Sequence, residues 1–494
     1  MAGIGFELKK LFQKKGLFGL FRAYGYAGVI TAGPMLLGAL LLLGIIFLCD
    51  FWGTARIERE LLVCMLTYTL LASLIVSSMF SMTVTRFTAD MLYEEKKEMI
   101  LPSFWGSNGM MLVFGGILYG LFLLISGISL TEGILCLWLF EEMLLIWNGM
   151  NYLTAIKEYR ALMLSFMTAV AVSFLVGFLF LFFGIPAVKA LMLAVIFGYG
   201  VMLVWDVHLL HASFPMERKP VFLFLQWLDR FFSLAFAGFL MNVGLFAHLV
   251  LMWYGPAGVC VKGLFYGAPA YDVPAFLAFF TILVTSINFV VSVEVHFYPY
   301  YRTYYSLFND GGSIRDIQQA EKSMLRVLRI ELFYLAMRQL MVSIISIALG
   351  TVVIERLPLG ITDLMEGYFR ILCVGYGLYA VGNSVFLMLL YFTDYGGALA
   401  AASVFAVSTI VGTLISFRFS VVYYGFGFFT GCALFFLFVV FRLEIFTRQL
   451  PYRILSVQPV VEMDRKKRFE KIGIFLEKQV GLGSTERNGR ARKI

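Results

Sequence analysis

MAGIGFELKKLFQKKGLFGLFRAYGYAGVITAGPM, residues 1–35, decides how the rest of the chain is read. Ile4, Leu8, Leu11 and Phe12 recur at i, i+4, i+7 and i+8, while Glu7, Lys9, Lys10, Lys14 and Lys15 take the other face. A basic amphipathic helix of this kind lies in a membrane interface. It runs straight into an apolar stretch, Tyr26 to Leu48, long enough to cross a bilayer. Lysines ahead of a first span hold that end on the cytoplasmic side, and every later span takes its direction from it. A secretory-signal reading is rejected, because the apolar run is too long and no A-x-A-like cleavage site follows.

The remaining sequence has the same character. Of 494 residues, 61% are hydrophobic, 17% aromatic and only 14% charged. A water-soluble fold cannot bury that much apolar surface, so an all-α polytopic membrane protein is expected. The formal net charge of +8 would suggest nucleic acid in a soluble domain. Here the basic residues flank apolar runs, where they set topology and meet anionic lipid, and no nucleic-acid partner is expected. Cys49, Cys64, Cys136, Cys260, Cys373 and Cys432 fall mostly inside apolar runs and form no C-x-x-C. They read as small buried hydrophobes, without a disulfide framework, a metal or a cofactor.

Apolar runs of about 20 residues predict twelve spans, at 26–48, 61–85, 104–125, 131–151, 162–183, 186–205, 231–251, 274–295, 330–354, 369–392, 398–417 and 421–441. With both termini inside, the cytoplasmic segments hold 31 of the 39 Lys and Arg residues and the outer segments seven. Without the 13 in the C-terminal tail the ratio is still 18 to 7, as the positive-inside rule requires. The chain then divides into an interfacial helix at 1–25, a six-span half at 26–205, a basic link at 206–230, a second six-span half at 231–441 and a basic tail at 442–494. Paired six-span halves are a transporter architecture. No segment is long enough for an ordinary soluble catalytic domain. The tail, with RKKR at 465–468, reads as a surface helix followed by disorder.

Catalytic signatures are missing. There is no G-x-x-x-x-G-K-[ST] phosphate loop, no H-E-x-x-H, no D-x-D and no Q-x-x-R-W, so an enzyme is disfavoured. His208 and His211 sit at a membrane edge and read as interfacial residues. Polar residues at membrane depth are the informative feature, because each costs free energy unless it faces a cavity or a partner. In the fourth span Glu141, Asn148 and Tyr152 share a face, with Glu142 on its flank. The glutamates either line a water-accessible path, or are protonated or paired with a neighbouring helix. In the eighth span Thr281, Thr285, Asn288, Ser292 and His296 form a polar stripe, which is either path lining or interhelical packing. The ninth carries Glu331, Tyr334 and Arg338, and Arg338 either snorkels or meets an anionic group of the cargo. The tenth adds Tyr376, Tyr379 and Asn383, and tyrosine's flat face with a polar tip suits a sugar. Asn242 and His248 are lesser candidates. The substrate-binding set expected from these patterns is Glu141, Glu142, Asn148, Asn288, Arg338, Tyr376 and Asn383.

The opening AGIGFELKKL…YGYAGVITAGP resembles the start of the PelG family of exopolysaccharide Pel transporters. TRFTADMLYEEKKEMILPSFWG at 85–106, NGMNYLTAIKEYRALMLSF at 148–166 and HFYPYYRTYYSLFNDGGSIRDIQQAEKSM at 296–324 are similar to further stretches of that family. LYFTDYGGAL, VVYYGFGFF and EIFTRQLPY extend the similarity to about residue 455. The resemblance implies a twelve-span fold distantly similar to polysaccharide flippases of the multidrug/oligosaccharidyl-lipid/polysaccharide superfamily. It implies export of Pel, an aminosugar polymer, across the bacterial cytoplasmic (inner) membrane. It also implies a complex with a cytoplasmic PelF-like glycosyltransferase and the membrane partners PelD and PelE. It supplies no site residues. Two rival functions stand beside it: a lipid-linked oligosaccharide flippase or cation-coupled exporter, and a non-transporting scaffold for a glycosyltransferase.

Overall fold

Lipid offers a peptide group no hydrogen-bonding partner, so each long apolar run closes its own backbone bonds as a helix. The computed structural model describes residues 28, 36–156, 159–217, 219–309, 311–356, 362–456 and 468–479. The interfacial helix expected at 1–25 and the end of the basic tail lie outside the described residues. Helices α1 (Leu36–Phe51), α2 (Arg56–Tyr93), α3 (Ile100–Ile125), α4 (Leu130–Ile156), α5 (Tyr159–Phe182) and α6 (Ala187–Ser213) come first. A short α7 (Leu225–Arg230) leads into α8 (Phe232–Tyr254). A β-hairpin follows, pairing β1 (Val259–Lys262) with β2 (Phe265–Gly267). The chain continues through α9 (Pro269–Phe279), α10 (Ile282–Val291), α11 (Tyr298–Asn309), α12 (Ile314–Arg356) and α13 (Asp363–Tyr391). It ends with α14 (Tyr395–Ser416), α15 (Phe426–Arg448), α16 (Leu450–Ser456) and α17 (Arg468–Gln479).

Among the described residues, ten helical stretches are long and apolar enough to cross a membrane. The shorter apolar α1 and the 27-residue α4 fall on the two remaining spans expected from the sequence. One span departs from its expected form. The run expected at 274–295 is a 40-residue stretch, Pro269–Phe308, that is not a single α-helix. Pro274 lies inside α9, and α9 stops at Phe279 before α10 begins at Ile282. A π turn then occupies Ser292–Phe297, with the Tyr298 N–H bonded to the Val293 carbonyl five residues back. Proline removes one ladder bond and a π turn inserts one residue, and both are recurrent causes of interrupted helices.

The chain forms two units. The first comprises Met35–Asn242, Cys260–Tyr266 and α17. In it α5 packs along α6, and α4 lies against α2, α3 and α6. The hairpin belongs to this unit because its tip is built into it. Phe265 is fully buried between the rings of Tyr68 and Phe122. The Tyr68 hydroxyl donates to the Tyr266 carbonyl (3.0 Å), and the Leu264 N–H donates to the Ser126 carbonyl (2.8 Å). Lys262 pairs with Glu132 at 2.7 Å. Gly263 makes the turn with φ +58°, and a Cβ there would stand 1.9 Å from the Ser126 carbonyl oxygen. Only glycine fits. From sequence no element is assigned between the spans at 231–251 and 274–295; the signal was the alternation Val259, Val261, Phe265 around a Gly263-Leu264 turn.

The second unit comprises Val243–Val259 and Gly267–Gln458. In it α14 lies along α15, while α13 lies against α9, α12 and α15. Small residues let α14 and α15 touch backbone to backbone: a Cβ on Gly427 would be 2.4 Å from the Thr413 Cα. Asp394 caps α14 through the Gly397 N–H (3.1 Å) and takes both Nε and an Nη of Arg442 at 2.7 and 2.9 Å. This two-pronged pair holds Thr393, a β-branched residue, at φ +64°.

Two outcomes follow from this packing. Gly263→Val forces a clash with the backbone and an unfavourable φ, so thermal unfolding of the detergent-purified protein should drop by several degrees. Asp394→Ala removes the cap of α14 and the charge-assisted bonds of the part-buried Arg442, a loss of about 2 kcal/mol. Arg370→Ala, which breaks the exposed Arg370–Glu366 pair, should cost under about 1 kcal/mol. Equal melting temperatures for these last two variants would show that the Asp394 pair has no special structural weight.

Candidate functional site

Within the first unit, α4 presents polar groups all along one apolar helix. Four are knitted to neighbours. Trp147 donates from its indole N–H to Ser73 Oγ (3.0 Å) and Asn151 from its amide to Ser81 Oγ (3.1 Å), both on α2. Asn148 donates to Ser107 Oγ (2.8 Å) and Asn108 Oδ1 (2.6 Å) on α3. The Tyr152 hydroxyl meets Ser103 Oγ at 3.1 Å and Ser107 Oγ at 3.3 Å. Asn148 and Tyr152, expected on one face, therefore meet the same helix.

The glutamates behave differently. They sit about 17 Å along α4, near mid-bilayer by helix rise. Glu141 is half-buried and points at α3, its Oε1 lying 2.7 Å from where a Cβ on Gly116 would stand. Glu142 is buried and points at α6, its Oε1 lying 3.0 Å from a Cβ on Gly200. Glycines opposite each carboxyl leave it room. Neighbours in sequence, the two acids thus face different helices. Glu142 Oε2 has no hydrogen-bond partner, and neither has Asn148 Oδ1.

Asp206 on α6 joins them. It is 1% exposed and neither carboxyl oxygen has a hydrogen-bond partner, although such groups are nearly always paired when buried. The nearby Ser165 spends its hydroxyl proton on the Leu162 carbonyl (2.8 Å). Sequence reading missed Asp206 because the sixth span was ended at residue 205, whereas α6 runs on to Ser213. A carboxyl one residue past an assigned span was itself the signal.

In the second unit the polar stripe of the eighth span meets α12 rung by rung. Thr285 donates to the Gln339 side chain, which is 1% exposed. Asn288 accepts from Arg338 Nη1 at 2.7 Å, while its own amide donates back to the Val284 carbonyl. His296, inside the π turn, has its Nδ1 2.9 Å from Glu331 Oε1. Ser292 and Glu331 border a small cavity shared with Phe289, Phe297, Leu328 and Leu335. Arg338 itself is exposed, and an exposed guanidinium in this stretch needs water or headgroups around it. Gln339 was not singled out from sequence, since a glutamine beside an arginine reads as interfacial.

The tenth-span candidates separate. Tyr376 is 3% exposed, its ring against Phe279 and Phe428 and its hydroxyl 3.4 Å from His248 Nε2. His248 Nδ1 meets the Tyr271 hydroxyl at 2.8 Å, which closes a buried aromatic core. In this conformation Tyr376 packs rather than faces an opening. Asn383 is half-buried and has no side-chain hydrogen bond among the described residues. Asn242 bonds back to the Gly238 carbonyl. In the tyrosine-rich α11, Tyr304 is fully buried and Tyr301 lies tilted against Tyr305 and edge-on against Tyr391, leaving Tyr300 and Arg302 outermost. No group of three or more metal-ligating side chains occurs among the described residues.

The fold is that of known transporters. An outward-facing multidrug resistance MATE family transporter of the MOP superfamily superposes with a TM-score of 0.59 at 12% identity, covering 92% of this chain and 99% of its own. The Vibrio cholerae MATE transporter VcmN in its bent form gives 0.57 at 13% identity, covering 92% and 100%. The MATE transporter ClbM in complex with Rb+ gives 0.58 at 14% identity, again covering 92% and 100%. At these identities the likeness is one of fold. No curated protein matches the sequence. Residues 1–455 match the family model PelG, described as "Putative exopolysaccharide Exporter (EPS-E)", and the chain belongs to that family.

Proposed function

We propose that this chain moves a nascent aminosugar exopolysaccharide of the Pel type across the bacterial cytoplasmic membrane, with both termini inside, as part of a synthase complex. One observation carries the reading beyond the family. Glu142 keeps a buried carboxyl oxygen without a partner, midway along a spanning helix, in a fold that MOP transporters share. Lipid makes such a group costly, and a fold needing only stability would replace it with leucine. A path that admits hydroxyls, amines or water gives it a purpose. Asp206, and the free oxygen of Asn148, supply acceptors in the same unit that fit the amine and hydroxyl donors of an aminosugar chain. Glu141 is a further acceptor, half-buried against α3.

Within the second unit, the Asn288–Arg338 rung and Asn383 are a separate set of polar contacts for the cargo. The Arg338 bond fixes the Asn288 carbonyl and leaves most guanidinium donors to sugar oxygens. Tyr376 serves by packing against Phe279 and Phe428 within that unit. The partners are a PelF-like glycosyltransferase and PelD-like and PelE-like membrane proteins, for which the exposed Tyr300 and Arg302 of α11 are a fitting contact. A chain without an ATP-binding loop then draws its energy from polymer elongation or an ion gradient.

The test is secretion of polymer by cells carrying Glu142→Gln, Glu141→Gln or Asn288→Leu, with protein level and partner co-purification measured alongside. Loss of a hydrogen bond to a charged group, about 1.5–3 kcal/mol, should reduce export about tenfold or more at unchanged protein level for Glu142→Gln and Asn288→Leu. Glu141→Gln should cost less, since that carboxyl is half-buried. Normal secretion by all three variants would remove these residues from the path. In a strain deleted for this chain but keeping the glycosyltransferase, polymer should accumulate inside the cell. No polymer anywhere would mean that synthesis itself requires the chain, as a scaffold would.

A further inference from the structure

The last described helix, α17, has a seat and a second face. Its N-terminus is capped by Asp229, whose carboxylate accepts the Glu470 N–H at 2.8 Å. Glu477 accepts the Phe222 N–H at 3.3 Å, and the Phe469 ring stacks near Phe232 with centroids 6.3 Å apart. Gly473 is buried, and a Cβ there would come within 3.2 Å of the Phe222 carbonyl. Phe469, Gly473 and Glu477 thus form one seam against the segment that links α6 to α8 and the start of α8. That segment is itself anchored. Trp227 donates to Asp90 Oδ2 at 2.8 Å and packs edge-on against Phe87, while Arg86 lies over Phe231.

A helix satisfied by this seat would be polar on its other side. Instead Phe475 is 59% exposed and Ile472 45%, set between the exposed Arg468, Lys471 and Lys478. At 100° per residue Arg468, Lys471, Phe475 and Lys478 fall opposite the seam, with Ile472 at its edge. Large apolar side chains framed by lysines are the composition of an interfacial helix. The sequence around it is basic as well, with RKKR at 465–468 and ERNGRARKI at 486–494. Position agrees with composition. The link runs only from Phe214 to Phe231 between two spanning helices, so a helix seated on it stays close to the bilayer surface.

We propose that Arg468, Lys471, Ile472, Phe475 and Lys478 form a binding face for anionic phospholipid headgroups of the adjoining leaflet. Phe475 and Ile472 enter the interfacial layer, and the cations meet the headgroup charge. The seat on Asp229 and Phe222 holds the helix at that surface. This site is independent of the cargo path and stands whether or not Glu142 takes part in export.

The experiment uses full-length protein in nanodiscs of phosphatidylcholine alone or mixed with phosphatidylglycerol. A fluorophore on Phe475→Cys, in a Cys260→Ser background, is read against a quencher attached to lipid headgroups. Quenching should be roughly threefold stronger in the anionic discs and fall with added salt. Lys471→Glu combined with Lys478→Glu should abolish the difference, while hydrogen-exchange protection of residues 222–232 shows that the seat is intact. Equal quenching in the two lipids would overturn the charge recognition. A probe that stays in water in both, the behaviour of a face reserved for a protein partner, would overturn the lipid site altogether.

Discussion

A polar atom inside a bilayer has no water to fall back on, and the arrangement of this chain follows from where each one finds a partner. On α4, indole, amide and phenol groups at Trp147, Asn148, Asn151 and Tyr152 each reach a serine or asparagine on α2 or α3. Between helices surrounded by lipid, apolar packing discriminates poorly among rotations, because the alternative environment is equally apolar. Four side chains hydrogen-bonded to two different neighbours leave α4 one rotation. That rotation is what points Glu142 at α6 and Glu141 at α3. The carboxyl without a full set of partners is therefore held in place by neighbours that have theirs.

The second unit applies the same logic with stronger groups. The Asp394–Arg442 pair joins the start of α14 to the end of α15, and glycines along the same two helices let their backbones touch between those ends. Neither device would suffice alone. Close backbone contact provides dispersion without direction, and an ion pair provides direction at one point only. The buried His248, Tyr271 and Tyr376 form a third tie whose phenols and imidazole satisfy one another. Of these, Tyr376 was the candidate for sugar contact, because a tyrosine in a span looks the same in sequence whether it faces cargo or histidine.

What was legible in the sequence was whatever a single helix decides for itself. Long apolar runs are helices in lipid regardless of their neighbours, and the stripe of Thr285 and Asn288 is fixed by helical periodicity alone. What was not legible depends on a second segment. Gln339 matters because Thr285 stands opposite it, and nothing in the run around it says so. Asp206 was hidden by a boundary error of a few residues, since hydropathy falls off before α6 ends. The hairpin needed the pocket formed by Tyr68, Phe122 and Ser126 before its Gly263 turn had meaning. The seat of α17 joins Glu470 to Asp229 and Glu477 to Phe222 across more than two hundred residues of chain.

The π turn can be explained in the same terms. Along the polar ladder, Asn288 pairs with Arg338 and His296 with Glu331. From one rung to the next the first strand of the ladder advances eight residues and α12 advances seven in the opposite direction. Eight residues of regular α-helix would swing His296 about 80° off the face that carries Asn288. A π turn adds one residue with little rise and turns the helix back by about one residue's rotation. Running from Ser292 to Phe297, after the Asn288 rung and through His296 itself, it restores His296 to Glu331. The irregular turn is thus what lets one polar stripe stay in register with a second helix across the break, and it places the least regular backbone of the span beside its titratable pair.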